Sequence, residues 1–315
     1  MVMKIGIFTA LFSDWPAEKV FKYVSGLGYQ MVELAAGGVV PATHLPNGSV
    51  ESLIKGEASE FKKELEKYNL EVSALSFYTN ILDADLNRRS RNVSEMKKVI
   101  EAANAIDVPC INTFSGCPFD WGRWYSFPFE NIEIYERGWK EAKEVWMPIL
   151  DFAAEHNVKI CIEVMPSIYG MAYNPDTAER MMKEIPHKML GLNYDPSHFI
   201  WQMIDPILPI YKFAQKIFHF HAKDTKIYPH IMRETGNMIT GSWTAPRRSW
   251  RFRVPGWGDA DWKGIISALM EIGYDYVLSL EFEDSTMSAI DGAKKYIDFI
   301  KPLIIEQPLG KTWFK

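Results

Sequence analysis

The chain has 315 residues, 47% of them hydrophobic, and a formal net charge of -5. It is long enough for a large core, and it carries no basic block that would suit a nucleic-acid partner. Its three cysteines lack C-x-x-C spacing, and no run approaches the ~18 apolar residues of a membrane span. With a strand beginning almost at Met1 and no apolar leader, the expectation is a cytoplasmic protein without a membrane partner.

In chain order, eight short runs read as buried strands: Lys4–Phe8, Met31–Leu34, Val72–Ser76, Cys110–Phe114, Lys159–Glu163, Gly191–Asp195, Ile217–His221 and Tyr276–Phe282. Most are apolar, β-branched or aromatic, as strands covered on both faces should be. Helical periodicity fills the gaps. Glu18–Ser25 carries Val20, Phe21 and Val24, and Ser94–Ala105 opens on a capping serine followed by an acid. Lys140–His156 is a longer amphipathic stretch, and Ala289–Ile304 places Ile290, Tyr296, Ile297 and Ile300 on one stripe. Gly28 and Gly273 stand where a helix end needs a left-handed residue before the next strand.

Strict strand–helix alternation without a hairpin signal predicts an α/β fold, a (β/α)8 TIM barrel, with residues 1–315 as one domain. An open doubly wound sheet fits less well, because Thr9-Ala10-Leu11-Phe12 replaces a glycine-rich phosphate loop after the first strand. Two connections exceed ordinary βα loops, about 115–131 after strand 4 and 225–261 after strand 7. The first carries Trp121, Trp124, Tyr125, Phe127 and Phe129; the second carries Trp243, Trp250, Phe252 and Trp257. Both would sit on the C-terminal rim of the barrel.

Four strand ends carry metal-ligand side chains: Glu163, Asp195, His221 and Glu281. A barrel brings such ends to one rim. Three carboxylates and one imidazole suit Mn2+ first, with Mg2+, Co2+ or Zn2+ as alternatives, and would bind vicinal oxygens of a ketose. The ion would polarise a carbonyl while a neighbouring carboxylate moves a carbon-bound proton. His198, three residues after Asp195, reads as a substrate contact. His219, on the same strand face as His221, reads as structural. Lys223-Asp224, just past His221, reads as orienting that histidine or contacting substrate, with a surface ion pair as the equal alternative. Arg251 and Arg253 are candidates for a sugar hydroxyl or an anion, loop anchoring being the alternative. Trp121 and Trp257 are candidates to stack on a sugar or an aromatic aglycone, the equal alternatives being to pack the long loops onto the barrel or to form a subunit interface.

The motifs Ile162-Glu163, Tyr194-Asp195-Pro196-Ser197-His198, His219-Phe220-His221-Ala222-Lys223-Asp224-Thr225 and Leu280-Glu281-Phe282-Glu283-Asp284 resemble the xylose-isomerase-like TIM-barrel superfamily over nearly the whole chain. Pro255-Gly256-Trp257-Gly258 followed by Asp261-Trp262 adds to the likeness. In its ketose 3-epimerase branch, a Glu-Asp-His-Glu set binds Mn2+ or a similar ion and the glutamates shuttle the proton. The resemblance therefore implies Glu163 and Glu281 as the catalytic acid/base pair. Those epimerases carry an arginine where this chain has Ile227, which leaves Arg251 and Arg253 as candidates for that contact. Resemblance to the histidine-rich DNA endonuclease IV fails, since strands 3 and 4 carry no histidine. Gly6–Phe12, Thr113–Cys117 and the insertion before Pro255 also resemble large subunits of C-glycoside deglycosidases. Those are lyases that act on 3-oxo-glycosides with a metal and a small β-rich partner subunit.

The expectation is thus a metal-dependent isomerase or epimerase of a sugar or keto-sugar, forming a homo-oligomer. The alternatives are a deglycosidase in a hetero-complex and a barrel that binds sugar without catalysis.

Overall fold

The protein, described here from a computed structural model covering residues 2–119, 132–167, 169–307 and 310, closes eight parallel strands into a barrel. These are β1 (Lys4–Phe8), β2 (Met31–Gly38), β3 (Glu71–Tyr78), β4 (Cys110–Phe114), β5 (Lys159–Glu163), β6 (Leu190–Tyr194), β7 (Ile217–Ala222) and the last barrel strand, β10 (Val277–Leu280). Sequence neighbours pair around the ring, and β1 closes it against β10 from Lys4↔Val277 to Ile7↔Leu280. Parallel strands run with their carboxyl ends on one rim, so the loops that follow them share that face.

Helices cover the outside of the barrel with the apolar stripes expected of them. Val20, Phe21 and Val24 of Ala17–Leu27 are buried, as are Met96, Val99 and Ile100 of Leu86–Ala105. Tyr296, Ile297 and Ile300 do the same for Ala289–Ile300. The second of these begins eight residues before the expected Ser94. Asp85 is its cap, its carboxylate accepting from the amides of Asn87 at 2.9 Å and Arg88 at 3.0 Å, and a Leu-Asn-Arg-Arg opening gave no apolar period to reveal the first turns. Gly28 and Gly273 adopt φ of 99° and 77°, the left-handed conformation required of them.

The connection after β7 departs from expectation. It contains an antiparallel hairpin, β8 (Asp224–Ile227) with β9 (Trp250–Arg253), in register Asp224↔Arg253 to Ile227↔Trp250. The intervening residues 228–249 are too many for a tight-turn signature, which is why local sequence did not announce the pairing.

Asp224 fixes this insertion to the barrel. Its buried carboxylate accepts from Trp262 Nε1 at 2.9 Å and from the amides of Gly256 at 3.1 Å, Ala260 at 3.0 Å and Thr225 at 2.7 Å. A Cβ at Gly258 would overlap Asp224 Oδ1, so glycine is needed for the loop to wrap this closely. Asp224→Ala would strand several buried donors at once, and we expect a loss on the order of 3 kcal/mol, read as a lower urea midpoint; an unchanged midpoint would contradict this anchoring.

Candidate metal centre

Below the rim the barrel interior is polar, not the branched apolar filling usual for this architecture. Glu33, Ser76, Asn112, Asn193, His219 and Ser279 are fully buried there. Glu33 lies at the hub: it accepts from Ser279 Oγ at 2.7 Å, Asn112 Nδ2 at 2.9 Å and Ser76 Oγ, and its two oxygens lie 2.9 and 3.0 Å from His221 Nε2. Burial alone would raise this carboxyl, yet the charges of His221 and His219, with hydrogen bonds from His221 and Ser76, hold it down at about 2. His219 meets Asn193 Oδ1 at 2.9 Å through Nδ1, and burial lowers its pKa to about 4. It is a neutral structural group of this layer.

The network continues upward. Asn193 Nδ2 donates to Tyr78 Oη at 3.3 Å, and Tyr78 Oη donates to Glu163 Oε2 at 2.5 Å.

Glu163 is the last residue of β5, and Glu281 follows β10 directly. Asp195 follows β6 and caps helix Pro196–Trp201, where its Oδ1 accepts from the Ser197 amide at 2.8 Å. His221 lies near the end of β7. One ligand atom from each of these four residues falls within 4.8 Å of all the others. Two of the buried donor atoms lack hydrogen bonds, His221 Nδ1 and Asp195 Oδ2. His221 Nδ1 lies 3.2 Å from Glu281 Oε2 and 3.6 Å from Glu163 Oε2. Against burial, the Glu33 and Glu281 carboxylates hold the pKa of this imidazole well above its ordinary value, so without an ion both nitrogens carry protons. Glu33 engages Nε2, which leaves Nδ1 as the nitrogen that would give up its proton to a cation in the quartet. This donor set fits a divalent cation.

Lys223 closes the group. Its ammonium contacts Glu281 Oε2 and lies 2.8 Å from Glu283 and 3.1 Å from Asp195 Oδ2. Burial opposes the charge, but the Asp195 and Glu281 carboxylates hold its pKa well above the ordinary lysine value. Reciprocally, burial would raise Glu281, and the Lys223 and His221 charges hold it well below the usual range.

The quartet opens into a cavity of ≈ 490 Å³ lined in part by Tyr78, Glu163, His198, Lys223, Glu281 and Glu283. His198 lies on its wall, and its Nε2 is engaged, 3.1 Å from Glu163 Oε1 and 3.3 Å from Asp195 Oδ2. Arg251, Arg253 and Trp257 are not among the lining residues. Arg251 Nε donates to the Trp243 carbonyl at 3.1 Å, and Arg253 Nε donates to Asp284 Oδ2 at 2.7 Å, so both anchor loops. Trp257 stands outside, 47% exposed. The hairpin turns Trp243, Trp250 and Arg248 inward instead, and Trp201 joins them. Trp121 lies outside the described residues.

Sequence reasoning missed Glu33 and Tyr78. The first had a signal: a lone carboxylate inside Met31-Val32-Glu33-Leu34, a strand with no polar face. Tyr78 had none.

A model of the xylose isomerase-like TIM barrel matches residues 21–303. The chain belongs to that family. A Bacillus subtilis protein, YfiH, is 30% identical across 96% of this chain and 99% of its own. Two solved structures share the fold: the IolI protein with a bound zinc atom, 19% identical with TM-score 0.69 and 96% of each chain covered, and the Escherichia coli 3-keto-D-glucoside 4-epimerase YcjR, 17% identical with TM-score 0.68 over 96% of this chain and 98% of that one. Among the described residues no helix is long and apolar enough to cross a membrane.

Removing Glu33 leaves a buried imidazole and several donors without their partner. Glu33→Ala is expected to cost about 3–5 kcal/mol, measured by denaturant unfolding; a cost below ~1 kcal/mol would mean the layer is not the support described.

Proposed function

We propose that this protein is a divalent-metal-dependent isomerase or epimerase of a sugar or keto-sugar, working by proton transfer on the carbon beside a carbonyl. The observation that carries the reading is the convergence of ligand atoms from Glu163, Asp195, His221 and Glu281 within 4.8 Å of one another, next to a cavity that Glu163 and Glu281 line. These four residues would hold the ion, for which Mn2+ is the first choice. The zinc in the IolI structure supports a divalent ion in such a barrel without selecting one. When bound, the ion supplies Lewis-acid polarisation of the substrate carbonyl.

The chain's own groups do the rest. Glu163 and Glu281 are the proton carriers: a proton removed by one carboxylate and returned by the other inverts the carbon between them. Tyr78 and His198 each hold one oxygen of Glu163, which fixes the orientation of its carboxylate. The Lys223 ammonium beside Glu281 keeps that carboxylate charged and offers positive charge where an enediolate forms. Trp243, Trp250 and Phe252 of the hairpin insertion give the cavity an apolar wall. The activity of the 3-keto-D-glucoside 4-epimerase, a structural neighbour, supports proton chemistry next to a sugar ketone.

The test is deuterium incorporation from D2O into methyl 3-oxo-glucoside by the Mn2+-loaded protein. Exchange at a carbon flanking the ketone is expected, with loss on chelation and restoration by Mn2+. Glu163→Gln and Glu281→Gln should each slow exchange by ~10²-fold or more. Near wild-type exchange in both variants would overturn the assignment. Release of the aglycone as the sole event would shift the reading to the lyase.

A further inference from the structure

A row of aromatic contacts leads away from the quartet along the cavity wall. Lys223 Nζ lies 4.6 Å from the Phe252 ring, which in turn lies 5.4 Å from Trp243 and 5.1 Å from Trp250. Beyond them the Arg248 guanidinium lies 3.9 Å from the Trp243 ring and 5.6 Å from Trp250. All of these side chains line the same cavity. One part of it is therefore rich in carboxylates, and the other is tryptophan-walled with a cation.

Arg248 is only 4% exposed, and its Nε has no hydrogen-bond partner. Nη1 donates only to backbone carbonyls, Gly241 at 3.1 Å and Ser242 at 3.4 Å. Among the described residues no carboxylate pairs with Arg248, nor with the neighbouring Arg251, which donates to the carbonyls of Trp243 and Ala245. The nearby Glu234 is taken by Arg247, Asp284 by Arg253 and Glu283 by Lys223. Burial and the Arg251 charge both lower the pKa of Arg248, as expected of a cation without a counter-charge. A buried guanidinium normally has a carboxylate partner, because desolvating it alone is unfavourable. If Arg248 served only to brace the loop, its unpaired Nε and missing acid would be a cost with no return.

We infer that this part of the cavity is a subsite for a carboxylate carried on a planar aglycone, with Arg248 as the residue that selects it. A planar guanidinium suits a carboxylate, and the tryptophan rings suit the planar carrier. The inference rests on the proposed function, which places the keto-sugar at the quartet and so sends its substituent toward Trp243, Trp250 and Arg248.

Tryptophan-fluorescence titration of the metal-loaded protein with two probes tests it: 4-carboxyphenyl β-D-glucoside and the neutral phenyl β-D-glucoside. The acid is expected to bind at least 10-fold more tightly to the wild type. Arg248→Gln should abolish that preference while phenyl glucoside binding persists, and Arg248→Lys should retain only part of it. Equal affinities in the wild type, no binding of the acid, or a preference that survives Arg248→Gln would each overturn the subsite. If Arg248→Gln does not fold, an undiminished preference in Arg248→Lys overturns it and a reduced one supports it. Deuterium exchange on methyl 3-oxo-glucoside separates the two claims. Exchange without acid preference sinks the subsite alone, whereas preference without exchange sinks the proton chemistry alone.

Discussion

One buried hydrogen bond organises the rest of this barrel: Glu33 against His221 Nε2, at 2.9 Å with both side chains fully buried. A carboxylate inside a barrel is tolerable only if its charge is matched and its lone pairs are satisfied. Ser76, Asn112 and Ser279 meet the second condition and His221 meets the first. By engaging Nε2, Glu33 fixes the ring orientation, so that Nδ1 faces Glu163, Asp195 and Glu281 and is the nitrogen left to a bound ion. The same layer reaches Glu163 through Asn193 and Tyr78. Two members of the quartet are thus positioned from below by a network whose own chemistry is inert.

The upper half of the centre is built by different means. Asp195 is held by the helix it caps, and Glu281 by Lys223. The roof comes from the hairpin after β7, which Asp224 ties down through four donors, immediately next in sequence to Lys223. Residues 221–224 therefore supply a metal-ligand type, a charge-balancing cation and the loop anchor within one short stretch. A rigid floor with a separately anchored roof allows the cavity walls to vary without disturbing the quartet.

Much of this was legible in the sequence. All eight barrel strands and the strand ends bearing Glu163, Asp195 and Glu281 read directly from short apolar runs that stop at a polar residue, and His221 was visible for the same reason. The floor was less so. Glu33, Asn112 and Asn193 sit in the middle of strands, where an isolated polar residue looks like noise unless its partners are known, and those partners lie on other strands up to 246 residues away, as Ser279 does from Glu33. The hairpin was hidden because its strands are separated by residues 228–249 and its pairing depends on the barrel beneath. Arg251 and Arg253 make loop contacts, the alternative the sequence left open for them, and Arg248 gave no local signal, since only the three-dimensional course of residues 237–248 brings it to the cavity.

The central claim is that Glu33 commits His221 Nδ1 to a cation shared with Glu163, Asp195 and Glu281. Anomalous diffraction from crystals of the Mn2+-loaded protein tests it most directly. The account predicts one strong peak within ~2.0–2.3 Å of His221 Nδ1 and of an oxygen from each of the three carboxylates, the usual range for such bonds. A peak on His221 Nε2 beside Glu33 and His219, or none at the quartet with Mn2+ in excess, would contradict it.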